Sequence, residues 1–132
     1  MPSPLWKKLG YKEGDRACII HPPAKYMDWV SPLPQGINFS GKENFNLVHI
    51  FTNDYEQFLE DLLLARERIL QNGMIWVSWY KKASGLPSEL NEDLIRQTAL
   101  AHRLVDVKVC SINEHWSGLK LVIPVRYRSG GT

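Results

Sequence analysis

The clearest hydrophobic pattern lies in the middle of the chain. "FNLVHIFT" (residues 45–52) is a nearly continuous apolar run, as expected of a strand covered on both faces. The period then changes. In "NDYEQFLEDLLLARERILQNG", Tyr55, Leu59, Leu62, Leu63, Arg66, Ile69 and Leu70 recur at helical spacing. Asn53 and Glu56 have capping-box-like spacing at its start, and Asn72-Gly73 supplies a left-handed stop at its end. "MIWVSWY" (74–80) reads as a second apolar strand. Strand, helix, strand in that order predicts a right-handed βαβ unit with parallel strands.

The flanks are read with the same rules. "DRACIIH" gives a short strand over 16–21 after a turn at Gly14. Pro22 and Pro23 open a short helix over 24–30, which Pro32 and Pro34 close. "INFS" (37–40) is a weak strand, and 41–44 form a turn. Beyond the loop "KKASGLPSEL", Asn91 caps a helix that has Glu92 and Asp93 in its first turn and runs to about His102. In "LVDVKVCSI", Val105, Val107 and Val109 alternate with Asp106, Lys108 and Cys110. "LKLVIPVRY" returns with Leu119, Leu121 and Ile123 on one face, which predicts an antiparallel hairpin closing the sheet. Pro124 has no amide hydrogen for a ladder and places that last strand at an edge. The expected fold class is α/β, three-layered and Rossmann-like, with a mostly parallel sheet of about six strands. It occupies a single domain over 1–132, with flexible ends at 1–4 and 128–132.

Composition narrows the function classes. The chain has 132 residues, 44% of them hydrophobic and 23% charged, an ordinary globular balance for one domain. A net charge of +2 is too mild for a nucleic-acid binder. No apolar run approaches the ~20 residues of a membrane span, and "MPSPLWKKLG" has no signal core, so a cytoplasmic location is expected. Cys18 and Cys110 each sit in an apolar run and read as reduced core residues, with a disulfide as the alternative. There is no CxxC, HExxH or spaced Cys/His cluster, hence no metal site is expected.

Parallel βαβ units ending in an antiparallel hairpin resemble the Rossmann-like fold of S-adenosylmethionine-dependent methyltransferases, here in trimmed form. The cofactor loop of that family is a glycine-rich "DxGxGxG" turn after the first strand. This chain reads "IIHPPAKY" at that place: no glycine lets the backbone approach a cofactor, and two prolines remove amide donors. The acid that family places after its second strand is also missing, since "INFSGKEN" offers only Glu43 beyond a turn. No cofactor is expected on this count. The blocks "WVSWYKKASG" and "WSGLKLV" are similar to those of a family of small bacterial proteins described only as a domain of unknown function. That resemblance implies a methyltransferase-like fold and brings no catalytic residue with it.

Ligands of open α/β sheets bind beyond the carboxyl ends of the strands, here at His21, at 52–54 and at 80–85. Lys81, Lys82, Ser84 and Gly85 form the candidate loop for an anion or polar ligand, with Trp79 placed to line it. Against this stands a structural role, since Glu89, Glu92 and Asp93 follow closely and would pair with the lysines. Trp76 and Trp79 point to opposite faces of the strand and read as core. Trp116 either folds back onto the sheet or marks a partner contact. His49 reads as a hydrogen-bonded core histidine. His21 and Asp54 are a candidate acid–base pair across the crevice. Neither GxSxG nor GxxxxGK[ST] occurs. The expected function is that of a small non-enzymatic protein with a degenerate cofactor site, monomeric or homodimeric. It would act through the crevice on a small anionic or polar ligand, or on a protein partner. The alternative is a divergent methyltransferase or acid–base enzyme. A nucleic-acid surface built on Lys81, Lys82 and Trp79 ranks last.

Overall fold

The computed structural model describes residues 3–128. The elements are α1 (Leu5–Leu9), β1 (Ala17–Ile20), α2 (Tyr26–Val30), β2 (Phe45–Phe51), α3 (Tyr55–Arg68), β3 (Ile69–Tyr80), α4 (Glu92–Ala101), β4 (Val105–Ser111) and β5 (Trp116–Val122). Single 3₁₀ turns occur at Lys82–Ser84 and Val125–Tyr127. The strands form one sheet in the order β1-β2-β3-β5-β4. β1, β2 and β3 are mutually parallel, and β5 lies antiparallel between β3 and β4. This is the α/β sandwich predicted, with five strands rather than about six. The expected flexible ends fall largely outside the described residues. Within them, the Pro4 carbonyl accepts from Lys7 and Lys8 N–H, and Arg128 Nε donates to the Ile123 carbonyl.

The missing sixth strand is "INFS". It is reduced to one parallel bridge, Arg16 with Asn38. Ala17 N–H donates to Asn38 and Asn38 N–H donates to Asp15. The carbonyl of Arg16, by contrast, accepts from Asn46 and Leu47. Alternate residues of a strand point their amides to opposite sides, so Asn38 lies on the outer side of β1, away from β2. Its side chain turns back to accept from the Ser40 N–H and hydroxyl, which ends pairing after one residue.

The two helical layers bury different faces of the sheet. Ile75, Val77, Trp79, Leu119 and Leu121 pack with Phe58, Leu62 and Ala65 of α3 and Ile95 and Ala99 of α4. Leu47, Phe51, Trp76 and Cys110 pack on the other face with Leu9 of α1 and Tyr26 and Val30 of α2. Trp76 and Trp79 thus fill opposite faces, as the strand period requires. Cys18 and Cys110 are both free thiols.

Several local expectations are corrected. The stripe of α3 is rotated from the one read above: Phe58, Asp61, Leu62 and Ala65 are buried, whereas Leu63 is exposed. Asp54 caps the helix by accepting from Gln57 N–H, so the cap lies one residue beyond Asn53. The helix stops at Arg68 because Ile69 turns extended and enters the core. The strand begins there, not at Met74. Gly73 is no left-handed stop. A Cβ on it would lie 2.8 Å from the Phe45 carbonyl oxygen, where β2 and β3 slip register between Phe45 and Leu47. The residue is glycine because two backbones approach there. In β4 a register shift between Asp106 and Lys108 leaves Val107 and Val109 exposed. β5 is an inner strand, and Pro124 escapes conflict because pairing ends at Val122.

A buried polar chain crosses the α2 side of the sheet. The Tyr11 and Tyr26 hydroxyls lie 2.6 Å apart. The Tyr26 hydroxyl lies 3.0 Å from His49 Nδ1, and His49 Nε2 lies 2.7 Å from Ser78 Oγ. His49 is fully buried and stacks on Phe51 at 4.3 Å. Burial pushes its imidazole down to about 3. Burial also raises both tyrosines, Tyr11 to about 12. All members are therefore neutral at pH 7, and both ring nitrogens of His49 have partners. This is the hydrogen-bonded core histidine that an apolar strand implied.

Candidate functional site

The carboxyl ends of β1, β2 and β3 lie side by side because the three strands are parallel and adjacent. At the end of β1, His21 takes a left-handed backbone with φ 56°. Its Nε2 lies 3.4 Å from Asp61 Oδ2. Asp61 is buried on α3; its Oδ1 accepts from Gln57 Nε2 at 3.0 Å, while Oδ2, facing His21, has no hydrogen-bond partner among the described residues. Burial pushes its carboxyl up, opposed by Gln57 and His21. The arrangement sets a half-exposed imidazole against a buried carboxyl at the end of β1. The expected pairing of His21 with Asp54 is replaced by this one: Asp54 is committed to capping α3, and the rotated helix turns Asp61 toward β1 instead.

The end of β2 is stitched to the loop before α4. Asn53 Oδ1 accepts from Tyr80 N–H at 2.7 Å, and its carbonyl accepts from Glu89 N–H at 2.9 Å. Glu89 Oε1 in turn accepts from Tyr55 N–H. Asn53, Asp54, Ser88 and Glu89 surround an open depression there.

At the end of β3 the lysines behave differently from one another. Lys81 Nζ donates to Ser111 Oγ at 2.6 Å, and its amide donates to His115. Ser84 Oγ donates to the Lys81 carbonyl and accepts from Leu86 N–H, so its hydroxyl is spent inside the loop. Gly85 turns with φ 76° in open space. Lys82 is exposed and makes no ion pair among the described residues. It lines a crevice with Trp79, Tyr80, Gly85, Leu86 and Asn91. Trp79, Lys82 and Gly85 are thus brought together, while Lys81 and Ser84 face other partners.

The expected pairing of the lysines with Glu92 and Asp93 does not form. Arg96 takes both acids, Asp93 at 2.8 Å, and also binds Asp106 at 3.0 Å. These bonds, led by those to Asp106 and Glu92, hold its guanidinium well above its ordinary range. An arginine fork accommodates several carboxylates that a lysine cannot. The sequence signal was present in the i, i+3 and i, i+4 spacing of Asp93 and Glu92 to Arg96. Trp116 packs at 5.0 Å from the Phe51 ring and 4.5 Å from Tyr80, so its indole folds back onto the sheet. No described helix is long and apolar enough to cross a membrane.

No family model and no curated protein matches this sequence, so the two-block resemblance to small bacterial proteins finds no further support. The likeness to methyltransferases does. A SAM-dependent methyltransferase from Aquifex aeolicus matches with a TM-score of 0.59 at 13% identity, covering 89% of this chain and 86% of that one. The N-methyltransferase NodS from Bradyrhizobium japonicum matches with a TM-score of 0.58 at 14% identity, covering 91% and 90%. A putative type 11 methyltransferase from Sulfolobus solfataricus gives 0.55 at 10% identity, covering 89% and 88%. At these identities the likeness shows the fold: a methyltransferase-like Rossmann sheet.

The residues beyond β1 do not fit an adenosyl cofactor held by a glycine-rich loop. Pro22 and Pro23 offer no N–H groups to it, and His21 occupies the turn, drawn to Asp61. The strand that would carry a ribose-binding acid is a single bridge at Asn38.

Proposed function

We propose that this chain is a divergent methyltransferase-like protein whose ligand site lies beyond β2 and β3, where it holds a small polar or anionic ligand. The observation that carries this reading is Lys82, an ammonium with no ion-pair partner among the described residues, in a crevice lined by the buried Trp79 and Leu90. The acids that would repel an anion from the start of α4 are paired by Arg96 and not by the lysines, which offsets part of their repulsion and leaves Lys82 available. The fold supports the location, since ligands of open α/β sheets sit outside the strand carboxyl ends. NodS is seen with S-adenosyl-L-homocysteine. In this chain the proline-bearing β1 turn argues against that ligand, and the β3 loop takes over as the grip.

Inorganic pyrophosphate at constant ionic strength is the test probe. At about ten times its dissociation constant it should stabilise the folded protein by roughly 1.4 kcal/mol, a rise of a few degrees in Tm. Lys82→Ala should abolish the rise, and Lys81→Ala should keep it. No rise, or a rise that survives Lys82→Ala, contradicts the reading.

A further inference from the structure

A second cavity opens on the α3 side of the sheet, away from the crevice, between β1, β2, α3 and the turn over 41–44. It exists because little covers this corner. β1 is four residues long, its outer neighbour is one bridge, and α3 lines the cavity beside it through Leu64, Ala65 and Arg68. Cys18 and Ile20 point to this side and stay half-buried. Phe45, Val48 and Leu64 complete an apolar wall, and Lys42 and Arg68 stand at its polar positions. The volume is about 180 Å³, room for about six water-sized groups at roughly 30 Å³ each. Apolar walls of this kind exclude water and favour hydrocarbon.

The two cations give the cavity its chemistry. Lys42 and Arg68 are exposed, and neither makes an ion pair among the described residues. Arg68 is near enough to Cys18 for its charge to act on the thiol, against the upward push of burial. An apolar slot flanked by two free positive charges is complementary to one ligand class. We propose that this cavity binds a small amphipathic carboxylate, its tail of about six carbons against Phe45, Val48 and Leu64 and its head toward Lys42 and Arg68. The site is separate from the crevice and does not depend on a ligand there.

Cys18 supplies the readout. The rate of its alkylation by N-ethylmaleimide, followed by peptide mass spectrometry on the intact chain, is measured with hexanoate, acetate or 1-hexanol present. Hexanoate should slow Cys18 modification at least fivefold and saturably. Acetate lacks the tail and 1-hexanol lacks the charge, so neither should match it. In Lys42→Glu/Arg68→Glu, hexanoate should no longer protect and hexylamine should protect instead. Cys110, 7% exposed, reports global opening in the same experiment. If it becomes reactive in the double variant, Arg68→Gln replaces that variant, and hexanoate protection should fall at least threefold. Absent protection by hexanoate, equal protection by 1-hexanol, or protection unchanged in the folded variant overturns the proposal.

Discussion

Trp76→Ala is expected to destabilise the protein by about 3–5 kcal/mol, the range for truncating a large buried aromatic residue. Trp76 is fully buried between β5 and the α1 layer. Its indole N–H donates to the Leu9 carbonyl at 2.7 Å, across 67 positions of sequence. The ring lies against Gly118, where an added Cβ would come within 3.2 Å of it. Truncation therefore empties space that neighbouring backbone cannot refill, and it leaves the carbonyl at the end of α1 without a donor. Chemical denaturation of wild type and variant measures the loss. Trp76→Phe should cost less, since most of the volume remains and the hydrogen bond alone is lost. A loss below about 1 kcal/mol for Trp76→Ala would mean that α1 is not pinned to the sheet as described.

Acid should weaken the fold through His49. The folded imidazole sits at about 3 against an ordinary value of 6.5. Between those values the unfolded chain binds a proton that the folded one does not. Protonation therefore favours unfolding as pH falls below about 6.5, and this contribution is flat above it. The slope for one such group is at most about 1.4 kcal/mol per pH unit. Asp61 acts oppositely: burial raises its folded carboxyl above the ordinary value, so its contribution to stability grows as pH falls through the folded pKa. The difference in slope between wild type and a His49 variant below pH 6.5 isolates the histidine, because the Asp61 contribution is common to both. His49→Leu should lower overall stability, because the Tyr26 and Ser78 hydroxyls lose a buried partner, yet it should flatten this slope. An equal slope in wild type and variant would assign the acid sensitivity elsewhere.

The fold was legible where burial on both faces leaves continuous apolar runs. Residues 45–52 and 74–80 announce β2 and most of β3, and the order of elements dictates their parallel pairing. What was not legible depended on contacts distant in sequence. α3 carries more leucines than its buried face can use, so the sequence pattern turns Leu63 inward, whereas Phe58 is buried and Leu63 exposed. That phase error hid Asp61, seven residues and about two turns beyond Asp54. Gly73 reads locally as a helix stop. Only the approach of the Phe45 carbonyl reveals its role in the sheet. Val107 and Val109 alternate as if buried, yet a bulge on an edge strand leaves them in solvent. At the crevice, the β3 loop lies beyond the strand carboxyl ends as its sequence position implies, but charge proximity in sequence is a poor guide to its ion pairs. Glu92 and Asp93, close to the lysines in sequence, are held by Arg96, and Glu89 accepts from Tyr55 N–H.

A methyltransferase-like sheet whose β1 turn carries Pro22 and Pro23 in place of amide donors is expected not to hold an adenosyl ligand there. Isothermal titration of the purified chain with S-adenosyl-L-homocysteine tests it most directly. No saturable heat is expected at ligand concentrations up to about 1 mM, equivalent to binding weaker than about 4 kcal/mol. Micromolar binding that is lost on replacing residues of the 21–25 turn would contradict it.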